Sequence, residues 1–236
     1  MTNPHFIFLH KIRSFLFGSA LIFISSCGEQ VIQENSPAKN TNDLNQKTFK
    51  ILILGDSLTE GYGVTESESY PSLLEDKLNQ ESTDKSKKIY QVINGGISGS
   101  TTSGGVSRIE WFLKSNPDFL ILALGGNDGL RGIPIEKIKA NLEKVVIAAQ
   151  NNKIPILLAG MKIPPNYGLA YSQAFSELFS QISKEYKIPL IPFLLKEVGG
   201  NPKMNLPDRI HPNPDGHIVI AETVHQYLIE ELTSIP

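Results

Sequence analysis

From Phe49 onward, short apolar runs alternate with amphipathic stretches. Residues 51–54, 90–93, 119–124, 154–159 and 190–192 read as strands. Several are apolar at consecutive rather than alternate positions, the pattern of a strand covered by helices on both faces. Between them, "SYPSLLEDKLNQ" puts Tyr70, Leu73, Leu74 and Leu78 on one helical face. Pro71 falls in the first turn of that helix, where its missing N–H is tolerated. "IEKIKANLEKVVIAAQ" and "YSQAFSELFSQISKEY" repeat the 3–4 spacing, and residues 217–232 align Ile220, Val224, Tyr227 and Leu228. This alternation predicts an α/β domain, a three-layer α/β/α sandwich around a roughly five-stranded parallel sheet. Ligands of such sheets bind at the carboxyl ends of strands, beside a topological switch point. The loops that follow the strands are therefore where chemistry is expected.

Upstream of residue 49 the pattern changes. "MTNPHFIFLHKIRSFLFGSALIFISSC" sets Lys11 and Arg13 before an apolar run over 15–24 and then small residues, the order of a secretory signal. The run is shorter than the roughly 20 residues that a bilayer span needs. "ISSC" resembles a bacterial lipobox. Residues 1–26 are accordingly expected to be a lipoprotein-type signal peptide. Cys27 would then be the lipidated end of an exported protein anchored to a bacterial membrane, on its periplasmic or cell-surface side. A plain signal, or an N-terminal membrane helix with Cys27 there by coincidence, is the alternative. Residues 27–48 are polar and aperiodic and read as a flexible tether, with the folded domain at 49–236.

Composition narrows the function classes. With 236 residues, 40% of them hydrophobic, the chain can bury one core. A formal net charge of −2 gives no basic stripe for nucleic acid. Cys27 is the single cysteine, so no intrachain disulfide supports the fold. There is no H-x-H or H-E-x-x-H pattern, and no metal or other cofactor is expected.

Four stretches carry candidate chemistry at or near strand ends. Ser57 follows the first strand in "GDSLTEG"; a helix cap explains Gly-Asp-Ser as readily as a nucleophile does, and no G-x-S-x-G elbow is present. "INGGISGSTTSGG" offers glycine N–H groups that can converge on an anion, but no Lys-Ser or Lys-Thr follows to make a P-loop. In "LALGGNDGLRG", the Asn127 amide can donate into a cleft, although Asn-Asp-Gly is also favourable turn chemistry. In "LPDRIHPNPDGH", Asp208 lies three residues before His211 and can hold its imidazole in one tautomer. His217 and His225, on the last helix, read as structural or surface residues rather than as partners in catalysis.

Taken in order, "GDSLTEG", the glycine of "ISGS", "GGND" and "DRIHP" resemble the four blocks of the SGNH hydrolases, the GDSL-type lipase/esterase family. The match is closest to the bacterial thioesterase I/protease I/lysophospholipase and arylesterase group. The resemblance implies a flavodoxin-like fold and a serine esterase with Ser57 as nucleophile, His211 as base and Asp208 as its orienter. It assigns the oxyanion hole to Ser57 N–H, Gly99 N–H and the Asn127 side chain. "MKIPPNYGLAY" occupies the place of the family loop beside the acyl groove, so Ile163, Pro164 and Tyr167 are expected to contact substrate. A small acyl ester, a thioester or a lysophospholipid at the membrane surface would then be the substrate. A carbohydrate O-acetyl esterase and a non-catalytic binding module are the alternatives.

Overall fold

A computed structural model describes residues 47–81 and 88–234; the expected signal peptide, Cys27 and most of the expected tether lie outside the described residues. The strands are β1 (Lys47–Gly55), β2 (Lys88–Gly96), β3 (Phe119–Ala123), β4 (Ile156–Ala159) and β5 (Leu190–Ile191). The helices are α1 (Ser57–Glu60), α2 (Tyr70–Glu81), α3 (Thr102–Leu113), α4 (Gly126–Leu130), α5 (Ile135–Asn151), α6 (Leu169–Tyr186) and α7 (Pro214–Ser234). All neighbouring strands pair in parallel, in the order β2-β1-β3-β4-β5.

Burial follows from that order. The central strands β3 and β4 are buried at every position, because helices cover both of their faces. The edge strand β2 is half-exposed along most of its length. Right-handed crossovers send β1→α2→β2 one way across the sheet and the next three connections the other way. Accordingly α2 packs against α7 in one layer, while α3 packs on α5 and α5 on α6 in the other. No helix among the described residues is long and apolar enough to cross a membrane.

Of the elements that differ from the sequence expectation, β1 and α3 have the plainest physical reasons. β1 begins at Lys47, two residues inside the expected tether, because its first residues are exposed and carry no apolar signal. More consequentially, the glycine-rich stretch is not one long loop. Gly95 and Gly96 end β2, and Gly104 and Gly105 lie in the first turn of α3, a helix that the apolar spacing does not announce. A helical glycine costs about 1 kcal/mol relative to alanine. Here it permits close packing: a Cβ on Gly105 would lie 2.5 Å from Leu124 Cδ1.

The topology places the site. The chain leaves β1 toward one face and β3 toward the other, which opens a crevice at their carboxyl ends.

Candidate active site

Ser57 is the first residue of α1, immediately after the residue that ends the β1 turn. Asp56 is the cap of that helix, its Oδ1 accepting from Leu58 N–H at 3.1 Å. The capping chemistry is therefore present, but it belongs to Asp56 and leaves the Ser57 side chain free. Ser57 Oγ lies 3.0 Å from His211 Nε2, and His211 Nδ1 lies 2.7 Å from Asp208 Oδ2. With neutral histidine, Nδ1–H donates to the carboxylate and Nε2 accepts from the serine hydroxyl, the tautomer that general-base action requires.

The loop that presents Asp208 and His211 is closed on itself. Leu206 N–H donates to His211 O at 2.7 Å, and Asn205 and Pro212 form an antiparallel bridge. Asp208 Oδ1 accepts from the N–H groups of Ile210 and His211 at 2.9 and 3.0 Å. Those two donors hold the Asp208 carboxyl down at about 2. Arg209 sits at φ 61°, a left-handed conformation that costs a non-glycine residue about 1–2 kcal/mol. The Tyr62 ring packs on His211 at 4.4 Å between centroids. It was not anticipated from sequence, since an exposed tyrosine beside a glycine carries no signal of its own.

Gly99 occupies a tight turn, with Ser100 N–H donating to Ile97 O at 3.0 Å. The positive φ falls on Gly99 (74°) and not on Ser98, which makes this a type II turn. Among the described residues, neither Gly99 N–H nor Ser57 N–H donates to a protein acceptor. Asn127, in the first turn of α4, donates through Nδ2 to Ser100 O at 3.1 Å and lies 3.4 Å from Asp56 Oδ2. Its neighbour Asp128 is fully buried and accepts from Thr102 N–H and Oγ1–H at 2.8 and 2.6 Å. Arg108 reaches from α3 to the Gly55 carbonyl and the Ser100 hydroxyl. These bonds lock the loop after β2 to the loops after β1 and β3.

Ser57, Asn127 and His211 open onto a cleft of about 540 Å³. Its wall is mostly apolar, including Leu58, Leu130, Met161, Phe193 and Ile210. Of the residues expected to contact substrate, Ile163 and Pro164 line it. Tyr167 does not: the turn Pro165–Tyr167 carries it past the cleft and leaves it 40% exposed. Asp208 and Gly99 are exposed and do not line it; Asp208 bonds to His211 at 2.7 Å. Among the described residues, no group of three or more His, Cys, Asp or Glu side chains is arranged to hold a metal.

Two buried titratable groups flank the site with opposite effects on stability. Burial pushes Asp56 up to about 6, a rise offset in part by the Leu58 N–H. Burial pushes His217 down to about 4; its Nδ1 accepts from Tyr70 N–H at 3.1 Å, capping α2. For His217 the folded value is depressed, so its stabilising effect is complete above about 6.5 and is lost as pH falls toward 4. For Asp56 the folded value is raised, so stability is regained as pH falls through 6 toward 3.8. The two largely cancel over the same window. Asp56→Asn keeps the cap and removes one side of that balance. Urea unfolding of this variant is expected to show about 2 kcal/mol lost between pH 7 and 5, against a much smaller change in the wild type.

Comparison with known proteins agrees with this geometry. Residues 53–219 match the model of the GDSL-like lipase/acylhydrolase family. An arylesterase of Vibrio mimicus is 37% identical over 188 residues, covering 79% of this chain and 92% of that protein. Thioesterase 1/protease 1/lysophospholipase L1 of Escherichia coli K12 is 36% identical over 179 residues, covering 75% of this chain and 82% of that one. The crystal structure of the psychrotrophic esterase EstA from Pseudoalteromonas sp. superposes with a TM-score of 0.72 at 34% identity, covering 78% of this chain and 98% of that one. By its strand order, its strand-end loops and these matches, the chain belongs to the GDSL-like lipase/acylhydrolase family and is a carboxylic ester hydrolase.

Proposed function

We propose that the chain hydrolyses esters or thioesters of hydrophobic acyl chains through an acyl-enzyme on Ser57. Ser57 Oγ attacks the acyl carbonyl while His211 Nε2 takes its proton, and Asp208 stabilises the resulting imidazolium. The carbonyl oxygen becomes an oxyanion held by Ser57 N–H, Gly99 N–H and Asn127 Nδ2. The leaving group departs with the proton from His211. Water activated by the same imidazole then cleaves the acyl-enzyme and regenerates the serine.

The observation that carries the acyl preference is the apolar cleft running from Ser57 past Met161, Ile163 and Phe193. The lipobox-like "ISSC" supports an anchor at Cys27, which would hold the domain beside membrane lipid and favour lysophospholipid as substrate.

Hydrolysis of p-nitrophenyl esters from acetyl to palmitoyl tests this reading. Each methylene buried in the cleft contributes about 0.8 kcal/mol, so kcat/KM is expected to rise about fourfold per added carbon until the cleft is filled. A maximum at acetyl followed by steady decline would instead assign the chain to O-acetyl ester hydrolysis.

A further inference from the structure

An oxyanion hole works only if its donors are already in place when charge develops, and misplacement by about 1 Å can cost about 100-fold. On the catalytic reading above, one donor is Gly99 N–H, which belongs to an exposed turn rather than to a helix or strand. The type II geometry sets the orientation of the 98–99 peptide, but not the position of the turn relative to Ser57.

The two peptides flanking the 98–99 peptide are held by charged side chains from different elements. On one side, Ser98 N–H donates to Glu60 Oε2 at 2.7 Å, and the Ser98 hydroxyl donates to the same oxygen. Glu60 is the last residue of α1, the helix that Ser57 begins. On the other side, Arg131 Nη2 donates to the Gly99 carbonyl at 3.0 Å. Arg131 directly follows α4, four residues after Asn127. Glu60 and Arg131 are exposed, and neither forms an ion pair among the described residues. Each instead directs a charge-assisted hydrogen bond, about twice as strong as a neutral one, at the backbone of a single turn.

We infer that Glu60 and Arg131 are positioning residues of the oxyanion hole, fixing the Ile97–Ser100 turn to the helix of the nucleophile and to the helix of Asn127. They touch neither substrate nor reacting atoms. Their effect reaches the reaction through the placement of Gly99 N–H.

The test uses the full chain with Arg131→Met, Glu60→Met and, as the conservative change, Arg131→Lys. Active sites are counted by stoichiometric release of p-nitrophenol from a p-nitrophenyl alkylphosphonate, and kcat is expressed per titrated site on a soluble short-chain ester. Each methionine variant is expected to lose about 10- to 100-fold in kcat per site, with KM within about twofold of wild type. Affinity for an alkylboronic acid, whose serine adduct is tetrahedral, should fall by the same factor as kcat/KM, and Arg131→Lys should recover most of the loss. The pH profile should not move. A kcat per titrated site within twofold of wild type overturns the proposal, as does a loss fully explained by fewer titratable sites. Undiminished hydrolysis by Ser57→Ala would show instead that the underlying catalytic reading had failed.

Discussion

Ser57→Ala and His211→Ala are each expected to lower kcat by about 10⁶-fold, and the double variant to be no worse than either. The reason is geometric. Ser57 Oγ and His211 Nε2 are 3.0 Å apart and, on the proposed mechanism, form one proton-transfer unit, so removing either group removes the same step. Asp208→Ala is expected to cost less, about 10⁴-fold, since serine and imidazole remain. Part of that loss would be positional, because Asp208 also accepts the backbone N–H groups that shape the 208–211 loop. Steady-state rates on a soluble p-nitrophenyl ester with purified, folded variants decide the matter. Multiplicative losses in the double variant would show that Ser57 and His211 act in separate steps.

The next largest effect is expected at Asn127. Its Nδ2 carries two protons. One is directed to Ser100 O at 3.1 Å, and the other to Asp56 Oδ2 at 3.4 Å, the longer contact and so the more readily exchanged for a developing oxyanion. Asn127→Ala is therefore expected to reduce kcat by about 10²–10³-fold with KM little changed, the signature of a contact made only in the transition state. Because α4 is also tied to the β2 loop through Asp128 and Thr102, the fold should survive the substitution. Unchanged kcat with raised KM would assign Asn127 to ground-state binding instead.

The parts of this architecture that can be read in the sequence are those in which burial is continuous. β3 and β4 are uninterrupted apolar runs because both of their faces are covered, and α5 and α6 carry clear apolar stripes. The helix α3 escaped because the feature that lets it pack closely, a glycine pair in its first turn, is the one that lowers helix propensity. β5 is two residues long, with almost no pattern to detect. The same contrast holds in the site. Ser57, Asn127 and the Asp208–His211 pair sit in short motifs, each open to a capping or turn reading alone, that point to one chemistry when taken in order. Glu60 and Arg131 lie inside two of those motifs, and Tyr62 and Arg108 outside them, but none of the four carries a chemistry of its own in the sequence. Each acquires a role only when the fold brings a backbone group or a ring from a distant segment beside it. Tyr167 illustrates the converse: membership in the loop that borders the cleft does not decide which way a side chain faces.

On the proposed mechanism, the separation of Ser57 from His211 along the chain sets the order in which activity appears during synthesis. Ser57 and His211 are 154 residues apart, and the loop bearing His211 enters the last helix. At translation rates of about 5–20 residues per second, roughly 8–30 s pass between incorporation of the serine and of the histidine. Any nascent or truncated chain ending before His211 carries a serine with no base. On that mechanism, esterase activity is a completion signal: it arises only when the C-terminal segment has docked against the first strand's turn, so an unfinished or unfolded chain cannot hydrolyse esters.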